Sequence, residues 1–118
     1  MTKEIFNRLK SWREDRNLHL SNYNKTTHSG FIAEELTELI KSNTTNDEMD
    51  AFCDLIVFSI NAIENAGYDA EVCMGEVLTE IESRQGSIVN GKFEKYRDED
   101  HMKLWYKADF DKAVRTDK

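Results

Sequence analysis

The stretch DEMDAFCDLIVFSINAIEN, residues 47–65, decides the fold. Met49, Phe52, Ile56, Ile60 and Ile63 recur at steps of three and four, which lines them along one side of an α-helix. The chain has no proline and only five glycines. One of them, Gly67, follows the stretch as a C-terminal stop. The centre of the stretch, residues 52–60, is apolar nearly all round and predicts a largely buried helix.

Working outward, SNTTND (42–47) interrupts with residues that favour turns and caps. Before it, a second helix is predicted over about 28–42, with Ile32, Leu36, Leu39 and Ile40 on one stripe. After Gly67, Tyr68-Asp69-Ala70 opens a fourth helix to about residue 84, with Val72, Val77, Leu78 and Ile81 inward. A first helix over about 2–16 carries Ile5, Leu9 and Trp12 toward the core, with Thr2 as its cap. NLHLSNYNKTT (17–27) reads as a loop. Beyond Gly86 the helical pattern fails, and GSIVNGKFEKY predicts a short hairpin around Asn90-Gly91. Trp105, Tyr106 and Phe110 imply that the tail packs on something.

The expected fold is therefore all-α: a four-helix core of antiparallel helices with an irregular C-terminal segment. It forms a single domain over 1–118, with its core at about 28–85 and an arm at about 86–118. Short helices with apolar residues on more than one face cannot bury everything alone, which predicts a dimer or tetramer built on the second and third helices.

Lys and Arg number 16 against 23 Asp and Glu, for a net charge of −7. That balance argues against a nucleic acid polymer as partner. No run approaches the length of a membrane span, and MTKEIFNRLKSW lacks the apolar stretch of a secretory signal. Cys53 and Cys73 form no CxxC pair, so buried free thiols in a reducing cytoplasm are expected.

The acidic residues carry the chemistry. At about 100° per residue, Glu35 and Glu38 lie about 60° apart on the second helix, bordering its apolar stripe. Asp50 and Asp54 lie about 40° apart on the third, with Asp47 on the same line. Ordinary solvated faces would account for such pairs. Two features argue otherwise. Asp54 sits inside the apolar run, where an unpaired carboxylate costs several kcal/mol or takes up a proton. The pairs also fall on consecutive helices, and a short connection makes such helices antiparallel neighbours. Two such charges about 4 Å apart repel by roughly 1 kcal/mol in water and about 4 kcal/mol at an effective dielectric of 20. Lys41 is the only Lys or Arg between 28 and 83. A divalent cation is the remedy, and all-oxygen ligands favour Mg²⁺ or Mn²⁺. A di-iron bundle would need Glu-x-x-His pairs, which the third and fourth helices lack.

A carboxylate-bound Mg²⁺ that keeps waters suits phosphate substrates. Arg84, Lys92 and Lys95 are candidate phosphate-binding cations downstream. His28, about 20° from Glu35 on the wheel, is either a substrate contact or a capping residue. Asn61 and Asn65 continue the Asp50/Asp54 line and are candidates for hydrogen bonds to a sugar or base.

Glu34-Glu35-Leu36-Thr37-Glu38, then Asp50-Ala51-Phe52-Cys53-Asp54-Leu55-Ile56-Val57-Phe58, then Gly67-Tyr68-Asp69, resembles the MazG-like all-α nucleoside triphosphate pyrophosphohydrolases, in particular small phage-encoded members. The first block reads as the family's E-E-x-x-E and the second as its E-x-x-D element. The similarity spans about residues 28–95, with Ser83-Arg84 and Gly91-Lys92-Phe93 matching more loosely.

The resemblance implies a helical fold whose active site is completed by dimerisation or tetramerisation. It implies Mg²⁺-dependent cleavage of a (d)NTP into a monophosphate and pyrophosphate, in the cytoplasm (a host's, for a phage protein). Glu35, Glu38 and Asp54 carry over as metal ligands, and Glu34 is the candidate for orienting or deprotonating the attacking water. The family pattern would put a carboxylate at Ala51. Asp50, one residue earlier, is the candidate replacement. That departure keeps open a catalytically silent helical dimer that binds a nucleotide or a protein; a phosphoribosyl-ATP pyrophosphohydrolase-like enzyme, with the same fold and another substrate, is a further alternative.

Overall fold

A computed structural model describes residues 3–116. Four helices carry the chain: α1 (Lys3–Asp15), α2 (Lys25–Lys41), α3 (Thr45–Asn65) and α4 (Ala70–Glu82). A short 3-10 turn, Leu18–Leu20, sits between α1 and α2. Strands β1 (Gly86–Val89) and β2 (Lys92–Lys95) follow α4, then the single-turn α5 (Glu99–Met102) and a second 3-10 turn, Phe110–Ala113. The structure is mostly helical, with several antiparallel helices and one small hairpin. No described helix is long and apolar enough to cross a membrane.

The helix ends follow local chemistry. The Asn24 side chain accepts from Thr27 N–H, so α2 starts three residues earlier than expected and the loop before it is shorter. Thr44 and Asp69 cap α3 and α4 in the same way, accepting from Asp47 and Val72. Gly67, at φ 91°, ends α3, and Tyr68 N–H returns to Ile63 O at 3.2 Å. Thr2, the expected cap of α1, lies outside the described residues. The hairpin forms where it was expected: Asn90 and Gly91 have φ 52° and 78°, the two positive values of a type I′ turn. A Cβ on Gly86 would meet Glu94 O, so this strand position admits only glycine.

Packing is uneven. α2 and α3 share the largest interface, across a three-residue connection. α1 and α4 touch α3 only lightly, and the hairpin packs on neither α2 nor α3. The arm is tied down as expected. Tyr106 OH donates to Glu76 Oε1 on α4, Asp69 N–H donates to Ala113 O, and Arg115 N–H donates to Gly67 O.

Several expectations about burial fail. Val72, Leu78 and Ile81, expected inward on α4, are exposed, as is Ile5 on α1. Trp12 is 38% exposed, whereas its neighbour Arg13 is 4% exposed, because the guanidinium has partners on α3. Cys53 is exposed and only Cys73 is buried. Phe52 and Ile56, at 47% and 46%, also stand open. Both lie on the side of α3 away from Asp54, while α1 and α4 meet α3 elsewhere.

Candidate functional site

α2 and α3 bring three of the predicted carboxylates together. Glu35 is part-buried, and its Oε2 is sealed from solvent with no hydrogen-bond partner. Its pKa is pushed up to about 7, first by desolvation, then by Glu38, which hydrogen-bonds it and repels it, then by Asp54 in the same two ways. The helix geometry explains the convergence. Glu35 and Glu38 are one turn apart on α2, and Asp54 faces them from α3. With no cation among the influences on it, Glu35 holds its proton up to about pH 7. As they stand, no group of three or more His, Cys, Asp or Glu side chains among the described residues is arranged to hold a metal ion. The cluster thus has the form of carboxyls linked by a proton. A cation replacing that proton would require the side chains to turn toward it.

Asp50 does not join the cluster. It is exposed and is not among the groups that perturb Glu35. Ala51, one turn before Asp54, is buried at 4% exposure and brings no carboxylate to the cluster. Glu34 is exposed beside Glu35.

Toward the other end of the α2–α3 groove, the polar candidates are already engaged. His28 stacks on Tyr23 at 5.3 Å between ring centroids. Its Nε2 lies 3.2 Å from Asn65 Nδ2, and its Nδ1 lies 2.8 Å from Asn24 O. Both ring nitrogens are thus engaged, one with Asn65 and one with Asn24. Asn61 Oδ1 accepts from Arg13 Nη1 at 3.0 Å.

The basic candidates also meet, but elsewhere. Arg84, Lys92 and Lys95 line a cavity of about 240 Å³ with Arg97. Arg84 and Lys95 each lie over the Trp105 ring, at 5.3 and 5.5 Å from its centroid. Arg84 also pairs with Glu80 at 3.4 Å. Arg84 Nε and Trp105 Nε1 are buried donors with no acceptor. Since the hairpin touches neither α2 nor α3, this cationic cavity does not reach the carboxylates within one chain.

Sequence reasoning missed Glu64. It receives Arg115 Nη1 at 2.8 Å, lies 3.7 Å from Arg13 Nη2, and accepts Ala70 N–H at 2.7 Å. Nothing local in the sequence marks contacts between residues some fifty positions apart.

Comparison of the chain with protein-family models, with curated proteins and with solved structures gives no match.

Proposed function

We propose that this chain is a MazG-like, Mg²⁺-dependent nucleotide pyrophosphohydrolase, cleaving a (d)NTP into (d)NMP and pyrophosphate. One observation carries the reading most directly: Glu35 Oε2 is buried without a donor between two further carboxylates. Leaving a buried acceptor unsatisfied is costly, and a divalent cation is the partner whose charge fits three carboxylates. Glu35, Glu38 and Asp54 would hold it, with Asp50 as a fourth ligand only if its side chain swings inward. Mg²⁺, when bound, would neutralise triphosphate charge and lower the pKa of a water. Glu34, next to Glu35 in sequence and exposed, is the candidate for orienting that water or taking its proton. His28 on α2 and Asn61 on α3 would meet a nucleoside by exchanging their present partners.

Arg84, Lys92 and Lys95 would neutralise phosphate charge from a second copy of the chain. Two features support this assembly. The hairpin carrying Lys92 and Lys95 does not touch α2 or α3, which carry the carboxylates. The chain also exposes 8812 Å², where a folded monomer of its mass should expose about 6,600 Å². A homodimer or homotetramer covering the open side of α3 would remove that excess. Cytoplasmic residence agrees with an exposed free thiol at Cys53.

The test is pyrophosphate release from a panel of NTPs, dNTPs and phosphoribosyl-ATP with Mg²⁺ or Mn²⁺. Wild type should turn over at least one of them. Asp54→Asn should abolish turnover with its far-ultraviolet circular dichroism unchanged. Absence of release from every substrate overturns the enzyme reading.

Buried Ala51 and exposed Asp50 favour a second reading, a catalytically silent helical dimer that binds a nucleotide or a protein. Mg²⁺ should then leave the melting temperature unchanged.

A further inference from the structure

The C-terminal end of α4 and strand β2 enclose the cavity of about 240 Å³ bordered by Arg84, Lys92, Lys95 and Arg97. Glu94 is the carboxylate in its lining. Arg84 is already paired with Glu80, at 3.4 Å, and does not count as free charge. Lys92, Lys95 and Arg97 form no ion pair and no side-chain hydrogen bond among the described residues. Lys95 lies over the Trp105 ring, at 5.5 Å, a contact that supplies no acceptor for its N–H groups. Three unpaired cations against one carboxylate leave the cavity cationic in a chain whose net charge is −7.

One donor of the lining residues also lacks an acceptor. Arg84 Nε is sealed from solvent and hydrogen-bonded to nothing among the described residues. A buried guanidinium N–H left unpaired is costly. Such a donor beside free cations suits a ligand with several anionic oxygens, as phosphates carry. Ile81 and Phe93 wall the cavity with apolar surface, which keeps the local field strong. Pockets that enclose a whole ligand usually hold about 300 Å³ or more. This cavity is smaller, so it takes the anionic end of a ligand and leaves the rest outside.

We propose that this cavity seats the terminal phosphates of the substrate, the part released as pyrophosphate, on Arg84 Nε, Lys92, Lys95 and Arg97. The inference rests on the hydrolase reading and deepens it: it says which phosphates these cations meet, and it adds Arg97 and Arg84 Nε to the site. In the cleavage, the oxygen of water bonds to the α-phosphorus, and the bond from that phosphorus to the α–β bridging oxygen breaks. Pyrophosphate leaves with the bridging oxygen and its electron pair, and the water's proton passes to Glu34 or to solvent. A cationic seat stabilises that departing charge. Because the hairpin touches neither α2 nor α3, the seat serves the carboxylates of a second copy.

Calorimetric titration with pyrophosphate in EDTA at fixed ionic strength tests the seat alone. Without a divalent cation there is no turnover and no metal-bridged binding to the carboxylates. Pyrophosphate should bind once per chain. Arg97→Glu, at an exposed position, should weaken binding about tenfold or more with circular dichroism unchanged. Asp54→Asn should leave binding unchanged. ATP should displace the pyrophosphate, and AMP, which lacks the terminal phosphates, should not. The inference is overturned if millimolar pyrophosphate does not bind, if binding survives Arg97→Glu, or if AMP competes as well as ATP. With Mg²⁺, Asp54→Asn chains mixed with Arg97→Glu chains should turn over faster than either alone, because a mixed dimer holds one intact site. No gain from mixed dimers overturns the placement of the seat on a second copy. Turnover without pyrophosphate binding removes the seat and keeps the hydrolase; binding without turnover keeps the seat and removes the hydrolase.

Discussion

Glu35 ties acidity to stability. Its pKa is about 7 in the folded chain against an ordinary 4.5, so the folded state holds this proton more tightly than the unfolded state does. The contribution is complete below pH 4.5 and is lost as pH rises to about 7. Glu35→Gln keeps the neutral form at every pH. In EDTA at pH 8 this variant should melt higher than wild type, and near pH 4 the two should converge. An equal gap at both pH values would place the cause elsewhere. This site was legible in sequence because it depends on spacing within two adjacent helices. The exclusion of Asp50 was not legible, since a one-residue shift turns a side chain by about 100° and only packing shows which side is inward. Arg13, Glu64 and Arg115 left no sequence trace, because their contacts join the beginning, middle and end of the chain.

Caps and stops made the elements readable. Thr44, Asp69 and Gly67 act where their chemistry implies, so α3 and α4 begin and end close to expectation. Gly67→Ala forces a Cβ into a left-handed backbone and should cost about 1–2 kcal/mol, read from the urea midpoint. An unchanged midpoint would mean that the turn relaxes. The arm depends on Glu76, whose pKa is lowered first by the Tyr106 hydroxyl, then by Asp109 N–H. That contribution is present above the ordinary carboxylate pKa and is lost on acidification. Tyr106→Phe should therefore speed proteolytic clipping within residues 96–116 while leaving the 3–85 core intact. Equal clipping rates would show that other contacts hold the arm. The aromatic residues signalled this docking, but only tertiary structure reveals that its anchor is a carboxylate on α4.

The molecule as a whole is more open than its length requires. Its radius of gyration is 16.9 Å, against about 13.5 Å for a compact chain of this size. The surplus surface, about 2,200 Å² per chain, is enough for a permanent subunit interface. Light scattering at micromolar concentration should give a dimer or tetramer, and Phe52→Glu on the open side of α3 should shift it toward monomer. A monomeric wild type would contradict the assembly. The apolar run around Phe52 was expected to be buried, yet Phe52 and Ile56 stand open; a single sequence does not say whether cover for such a run belongs to the same chain. We propose that Glu35, Glu38 and Asp54 exchange a shared proton for a divalent cation. Crystals soaked in Mn²⁺ test this through the metal's anomalous signal. The account predicts one peak ligated by all three carboxylates. Glu35 still bonded to Glu38 and Asp54 at millimolar Mn²⁺, with no peak between them, would contradict it.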